Sequence, residues 1–213
     1  MQSTRIPQGI TPPSALTINV VPAGSQPPVA GPLSVGVACV EDIDLTTPTG
    51  ATIAVLKPDG TIVAWSATYA AAPSLGVTGA SETTPIVLTV ATTEVLTGPT
   101  PKVTVAGVGG NTAANGAWFA HVLDGLTFAL YQDDSLLFPA ASSGAYTSGG
   151  TATPNDSATV VHNFADATTA APQGELDQIG VYHVAASLSV AGGSVPCEAA
   201  LLEVVSPFAD GLG

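Results

Sequence analysis

Residues 52–68, which carry the clearest strand pattern in the chain, read Thr-Ile-Ala-Val-Leu-Lys-Pro-Asp-Gly-Thr-Ile-Val-Ala-Trp-Ser-Ala-Thr. The first five residues alternate, so Ile53 and Val55 lie on the same side of a strand. Residues 57–60 form a turn, because proline presets φ and glycine accepts a positive φ. Residues 61–68 return as a second strand that carries Trp65. The pattern predicts a β-hairpin.

The composition extends this reading to the whole chain. Of 213 residues, 46% are hydrophobic and 9% are charged, with 23 glycines and 18 prolines. Glycine, proline and β-branched residues all lower helix propensity, and they suit short strands joined by tight turns. The sequence therefore predicts an all-β protein.

Further strand candidates lie on both sides of this hairpin. Asp124-Gly125 is a two-residue hairpin signal, and Gly192-Gly193 is a second turn, whereas residues 70–84 are expected to form a loop. The strand candidates are residues 16–21, 35–40, 86–90, 103–105, 117–123, 126–131, 159–164, 181–190 and 195–205.

The order of these segments predicts a domain organisation. Residues 1–33 are rich in proline and are expected to form an extended arm. The hairpins of residues 34–83 and 153–206 have too few strands to stand alone, so they are expected to form one discontinuous β-sandwich. Residues 84–152 are expected to be a small inserted β-barrel module, since insertion at a loop tip costs little entropy. Residues 207–213 are assigned to a tail.

Two parts of the sandwich resemble a known family. Residues 177–184, Asp-Gln-Ile-Gly-Val-Tyr-His-Val, resemble the tyrosine corner of immunoglobulin-like domains, in which the tyrosine, here Tyr182, bonds back to the backbone. With residues 57–60, Trp65 and the closing residues 192–198, the pattern is similar to Ig-like domains of phage baseplate and accessory virion proteins. The resemblance covers residues 35–70 and 158–206 and implies an Ig-like sandwich.

A second resemblance covers the inserted module. Its motifs are Val-Thr-Val-Ala-Gly-Val, Asn-Thr-Ala-Ala-Asn-Gly-Ala-Trp, Leu-Thr-Phe-Ala-Leu and Gly-Ala-Tyr-Thr-Ser-Gly-Gly-Thr, at residues 103–108, 111–118, 126–130 and 144–151. They resemble a small β-barrel of phage tail and virion proteins that is similar to a β-domain of ubiquitin-activating enzymes. At residues 97–100, Thr-Gly-Pro-Thr replaces the family's usual Gly-Asp turn. The resemblance implies a particle component without catalytic residues.

The charge balance limits the partners. Sixteen acidic residues face only Arg5, Lys57 and Lys102, giving a net charge of −13. Three scattered cations do not supply the phosphate contacts of a nucleic-acid-binding protein or bind an anionic membrane. No apolar run approaches the length of a membrane span, and the first residues lack a signal sequence. Neither nucleic acid nor membrane is therefore expected as a partner.

The two cysteines, Cys39 and Cys197, lack metal-ligand spacing. Two buried free thiols are the favoured interpretation, because free cysteine packs as a small hydrophobic residue. A disulfide joining two ends of one domain is left open, although a cytoplasmic assembly environment argues against it.

The other reactive side chains do not form a recognisable site. His121, His162 and His183 are isolated, which is typical of surface or interface histidines rather than metal ligands. Residues 107–112 are rich in glycine but lack the lysine of a phosphate loop, so they are expected to form a turn. The loop carboxylates Asp42, Asp44, Asp133 and Asp134 do not supply a calcium ligand set. No catalytic, cofactor or metal site is expected.

The larger aromatic residues are expected in the core, and a glycan-binding platform would require two or three of them exposed on one face. They are Trp65, Trp118, Phe119, Phe128, Tyr131 and Phe138.

The expected function is that of a structural subunit of a bacteriophage particle, made in the host cytoplasm and located in the virion. It would act by packing neutral β-surface against copies of itself and other virion proteins, since interface cores are depleted of charge. Its place in the particle (capsid, neck, tail or baseplate) and its copy number are left open. A bacterial surface adhesin or glycan-binding module with weak glycan binding is the alternative, and an enzyme is the third reading.

Overall fold

The computed structural model describes residues 3–7, 15–23, 33–164 and 174–205. Strands dominate these residues, and helix is confined to two single 3-10 turns, Thr112–Ala114 and Gly174–Leu176. The chain is all-β, which confirms the class predicted from its composition.

Fifteen strands lie in the described residues. In chain order they are β1 (Ser3–Pro7), β2 (Ala15–Val21), β3 (Ser34–Ala38), β4 (Gly50–Leu56), β5 (Ile62–Trp65), β6 (Thr68–Ala71), β7 (Leu75–Ala80), β8 (Val87–Val90), β9 (Lys102–Ala106), β10 (Gly116–Val122), β11 (Thr127–Tyr131), β12 (Thr151–Pro154), β13 (Ala158–Asn163), β14 (Gly180–Val190) and β15 (Gly193–Val205).

The chain divides into two compact units, which we describe separately. The two-sheet unit comprises Met1–Ile43, Thr47–Ala70 and Ala158–Gly213, and the barrel unit comprises Asp44–Thr46 and Ala71–Ser157.

The first sheet of the two-sheet unit has five strands in the order β1-β15-β14-β4-β5. Its pairs are antiparallel except β1, which runs parallel to β15. The hairpin predicted from residues 52–68 is its β4–β5 pair, with Ile53 opposite Trp65. Ile53, Val55 and Trp65 are buried. The alternation therefore indicated both the hairpin and its inward face.

The second sheet has four strands in the order β3-β2-β13-β6. Strand β2 runs parallel to β3 and antiparallel to β13. Leu16, Ile18 and Val20 of β2 have no exposed surface, and they alternate with half-buried residues. The inward face of β2 is thus a continuous apolar row.

The extended arm predicted for residues 1–33 is wrong for the described part of that segment. Strand β1 is paired along its length with β15, and β2 lies between two strands of the second sheet. The expected strand at residues 16–21 is confirmed as β2. Proline does not exclude a strand here, because it is tolerated at the end of an edge strand, where Pro7 lies. The remaining residues of the predicted arm, and the predicted tail 207–213, lie outside the described residues.

The barrel unit closes in the order β10-β11-β8-β7-β12-β9, with β9 pairing back to β10. Its interior is filled by apolar side chains, as expected of a small barrel. The largest of them include Ile86, Leu88, Phe128 and Leu130. The candidate strands at residues 86–90, 103–105, 117–123 and 126–131 are confirmed as β8, β9, β10 and β11.

The loop predicted at residues 70–84, and the start of the inserted module at residue 84, differ from the structure. Strand β7 lies inside this segment and pairs with both β8 and β12, so the barrel begins earlier. Leu75 and Val77 alternate as a strand should and are buried. Gly76, Gly79 and the surrounding small polar residues hid that alternation in the sequence.

One predicted turn is longer than expected, and another is displaced by one residue. Val122 pairs with Phe128, and the Leu123 N–H donates to the Thr127 carbonyl, so the β10–β11 loop is longer than the two residues Asp124-Gly125. The Asp124 carboxylate accepts the Leu126 N–H at 2.8 Å, which stabilises the longer loop. Val190 pairs with Gly193, so the β14–β15 turn is centred one residue earlier than Gly192-Gly193.

Candidate functional site

The outer surface of the five-stranded sheet carries rows of uncharged side chains. The first row crosses four strands, because Ile62 pairs with Leu56, Leu56 with His183, and His183 with Leu201. Ile62 is 75% exposed, and Leu56 is also exposed. The register thus brings three aliphatic residues from distant parts of the sequence into line.

The second row lies beside the first and consists of alanine. It contains Ala64, Ala54, Ala185 and Ala199, each paired with the next across the sheet. Alanine adds little height, so this row is low and flat. We call these two rows, eight residues in all, the neutral face.

Two ion pairs border the neutral face. The Arg5 guanidinium donates to the Glu203 carboxylate at 2.8 Å, next to Leu201 along β15. The Lys57 ammonium contacts both oxygens of Asp177, at 2.9 and 2.8 Å. A neighbouring protein that covers the neutral face would therefore meet these four ions already paired, and desolvating them costs less than desolvating lone charges.

The hairpin that presents Leu56 and Ile62 is held by hydrogen bonds at its turn. The Asp59 N–H donates to Gln178 Oε1 at 3.0 Å, and Gln178 Nε2 donates to the Asp59 carboxylate at 2.7 Å. Hydrogen bonds from the Thr61 backbone and hydroxyl, and from Gln178, lower the pKa of Asp59. The turn residues are thus anchored to the segment that precedes β14.

Tyr182 fixes that same segment. Its hydroxyl accepts the Gln178 N–H at 2.8 Å and donates to the Gln178 carbonyl at 3.0 Å. This is the bond back to the backbone that the tyrosine-corner resemblance implied, and the structure confirms it. The ring is fully buried, and this burial raises the pKa of Tyr182 to about 12.

His162 is buried, so its prediction as a surface or interface residue is wrong. Its ring stacks on Trp65 at a centroid distance of 4.6 Å and meets the edge of Phe164 at 4.9 Å. Nδ1 lies 2.9 Å from the Ser66 carbonyl, and Nε2 lies 3.3 Å from a Glu175 oxygen without hydrogen-bond alignment. His162 occupies an inward position of β13, so the strand alternation outweighed its polarity. Aromatic rings cover it, and it serves as part of the core.

His121 and His183 are exposed, as expected. His121 lies 6.3 Å from Tyr131, edge to face. The two histidines belong to different units.

The large aromatic residues divide between the core and the barrel surface. Trp65 and Phe128 are buried as predicted, whereas Phe138 is 59% exposed. Phe119 pairs with Tyr131 across β10 and β11, and both side chains are half-buried. As cross-strand partners they lie on the same face of the sheet, but neither is exposed as fully as a glycan-binding platform requires.

The other candidate chemistry does not come together in the described residues. Within them, no group of three or more histidine, cysteine or acidic side chains is arranged to hold a metal ion. Nor does the described part of the chain contain a helix long and apolar enough to cross a membrane. The Asp44 carboxylate instead accepts hydrogen bonds from Thr46 and Asn155.

The sequence has no match among protein-family models or among curated proteins.

The neutral face was not identified as a site from the sequence, although a signal for it was present. Residues 54, 56, 62 and 64 occupy the outward positions of the predicted hairpin, and all four are alanine, leucine or isoleucine. Outward positions of an isolated antiparallel sheet are usually polar. An apolar residue at each of them would have indicated a contact surface.

Proposed function

We propose that the chain is a structural subunit of a bacteriophage particle and that it acts by assembly, with the neutral face as its docking surface. The observation that carries the proposal is the aliphatic row of Ile62, Leu56 and Leu201, the first two exposed and the third half-buried, on a sheet whose outward side is otherwise expected to be polar. Charge-depleted, aliphatic surface is typical of the centre of subunit interfaces.

The position of Ile62 supports this proposal. It begins β5, which lies at the end of the five-stranded sheet. A strand at the end of a sheet has backbone groups directed away from the sheet and can pair with a strand of another protein. A second copy or a neighbouring virion protein could therefore extend the sheet at β5 and cover the neutral face at once.

The assignment to a phage particle rests on the resemblances of residues 35–70, 158–206 and 103–151 to virion modules. The hydrogen bond of Tyr182 supports the first of them. The low charge and the apolar outward face are what a subunit surrounded by neighbours requires.

A negative charge introduced into the neutral face tests the docking surface. We expect Ile62→Glu to weaken association of the purified protein by about tenfold or more, because it would bury an unpaired carboxylate. Association is measured by analytical ultracentrifugation, as the increase of the average molar mass with protein concentration. Leu137→Glu is the matched control, since Leu137 lies on the barrel unit and is 73% exposed, against 75% for Ile62.

Both variants should keep the unfolding midpoint of the parent protein, since both side chains are largely in solvent.

The particle assignment is tested by mass spectrometry of purified phage particles from the culture that makes the chain. A protein that is monomeric at every concentration and absent from particles would overturn the proposal.

Glycan binding is the second candidate, and the adjacent rings of Phe119 and Tyr131 favour it. Sugar rings stack on such aromatic surfaces. Binding of an oligosaccharide from a panel, measured by titration calorimetry and lost in Phe119→Ala, would support a glycan-binding module over a purely structural subunit.

A further inference from the structure

The only two cysteines in the chain lie opposite one another in the two-sheet unit. Cys39 directly follows β3, and Cys197 lies in β15; they form an antiparallel bridge although 158 residues separate them. The bridge thus connects the four-stranded sheet to the five-stranded sheet.

The hydrogen-bond pattern around the bridge brings the two side chains together. The Val40 N–H donates to the Pro196 carbonyl at 3.1 Å, from the residue after Cys39 to the residue before Cys197. The two cysteines are therefore a pair that exchanges no backbone hydrogen bond, whose Cα atoms are typically about 4.5 Å apart. Disulfide bonds form at Cα separations of about 4.4–6.8 Å.

The sulfur atoms meet inside the core. Sγ of Cys39 lies 2.7 Å from Sγ of Cys197, and the residues are 2% and 6% exposed. The hydrogen bond with Cys197 lowers the pKa of Cys39, whereas the same contact and burial raise the pKa of Cys197. The two sulfurs thus share one hydrogen bond inside the core, and the thiolate is the reactive form in disulfide chemistry.

We propose that Cys39 and Cys197 are a disulfide-forming pair that locks β3 to β15 when the chain folds with a small disulfide such as oxidised glutathione. The thiolate of one cysteine attacks one sulfur of the oxidant, forms a mixed disulfide and expels one glutathione thiolate. The other cysteine then loses its proton and attacks the cysteine sulfur of the mixed disulfide, which expels the second glutathione. Two cysteine thiols are oxidised to one disulfide, one glutathione disulfide is reduced to two thiols, and the two protons pass to those thiols.

Burial determines when this exchange takes place. Since both sulfurs are enclosed in the folded unit, the oxidant reaches them while β15 is still open. The completed bond closes a loop of 158 residues. Restricting so long a loop in the unfolded chain is expected to raise the unfolding midpoint of the two-sheet unit by roughly 10 °C.

The test is to refold the full chain with a mixture of oxidised and reduced glutathione, and in parallel with a reductant alone. We expect the oxidised sample to lose both titratable thiols in denaturant, to lose the mass of two hydrogen atoms, and to remain a single chain in non-reducing electrophoresis. Its unfolding midpoint should rise, and dithiothreitol added to the unfolded protein should reverse all of these changes.

Cys39→Ser, Cys197→Ser and the double variant are the controls. The double variant should fold and have the same midpoint with and without glutathione, which assigns the shift to the bond. Two free thiols after oxidative refolding, or covalent dimers in place of an internal bond, would overturn the proposal. Association through the neutral face is measured separately, so either proposal can fail alone.

Discussion

The hydroxyl of Tyr182 is shared between the N–H and the carbonyl of Gln178, and the ring beneath it is buried. Tyr182→Phe should reduce the free energy of unfolding of the two-sheet unit by about 1–3 kcal/mol, because the variant leaves the Gln178 N–H without its partner. Urea denaturation followed by circular dichroism measures the change. Tyr131→Phe, a half-buried tyrosine of the barrel, should stay within about 0.5 kcal/mol of the parent.

The same hydroxyl gives a dependence on alkaline pH. Burial raises the pKa of Tyr182 from 10.0 to about 12, so between these values the phenol is neutral in the folded chain and ionised in the unfolded one. Its contribution to stability is complete below pH 10 and is lost as the pH rises to about 12. The gap in stability between the parent and Tyr182→Phe should narrow over that range. A constant gap would contradict this assignment.

Single residues also mark where sequence reasoning fails. Tyr182 could be predicted because a local motif surrounds it, and its bond spans only four residues. His162 could not, since its burial depends on Trp65, almost a hundred residues away, supplying a ring to stack upon. A polar side chain at an inward position is assigned correctly only when its partners are known.

The glycine-rich segment at residues 107–110 contains two positions where the backbone favours glycine. Gly107 and Gly110 both have positive φ, 74° and 77°. A Cβ on Gly110 would also collide with the Ala145 carbonyl oxygen and lie 2.8 Å from Thr147 N, whereas a Cβ on Gly107 would come no nearer than 3.8 Å to Gly150. The turn predicted for residues 107–112 is in part a bridge, because Gly109 pairs with Ser148, and this close approach of residues 145–148 is what the sequence did not show.

Comparing alanine at these two positions separates backbone strain from collision. Gly107→Ala should destabilise the barrel unit by about 1–2 kcal/mol, the cost of a side chain in the left-handed region. Gly110→Ala should add about 1–3 kcal/mol, because its Cβ has no space. Thermal unfolding of the two variants measures the difference. Equal losses would mean that residues 145–148 move aside without cost.

Elements with regular alternation and nearby partners were predictable, and those defined by distant pairing were not. The hairpin of β4 and β5 is predicted from a pattern of only seventeen residues. Strand β1 has only five residues and is a strand because β15, at the other end of the described chain, pairs with it. Strand β7 is defined in the same way by β8 and β12. The local sequence does not indicate such distant partners. A strand that is rich in proline or contains glycine is therefore predicted to be an arm or a loop.

Over the whole molecule, the least predictable feature is a three-residue segment, Asp44–Thr46, that belongs to the barrel unit. The Leu45 N–H donates to the Asn155 carbonyl at 2.8 Å, and Asn155 Nδ2 donates to the Asp44 carboxylate at 3.1 Å. The Leu45 side chain has no exposed surface. Residues that precede the hairpin of β4 and β5 in the chain are therefore hydrogen-bonded to the barrel unit.

This arrangement gives a prediction for the unfolding of the whole chain. Because each unit has its own buried residues, we expect two thermal transitions in calorimetry rather than one. Leu45→Ala should lower the stability of the barrel transition by about 2–5 kcal/mol and leave the other transition in place. Leu126→Ala is the control, since that barrel leucine is 53% exposed and should change stability by no more than about 0.5 kcal/mol. If Leu45→Ala lowered both transitions together, residues 44–46 would have to be counted as part of a single cooperative structure, and the division into two units would not describe how the chain unfolds.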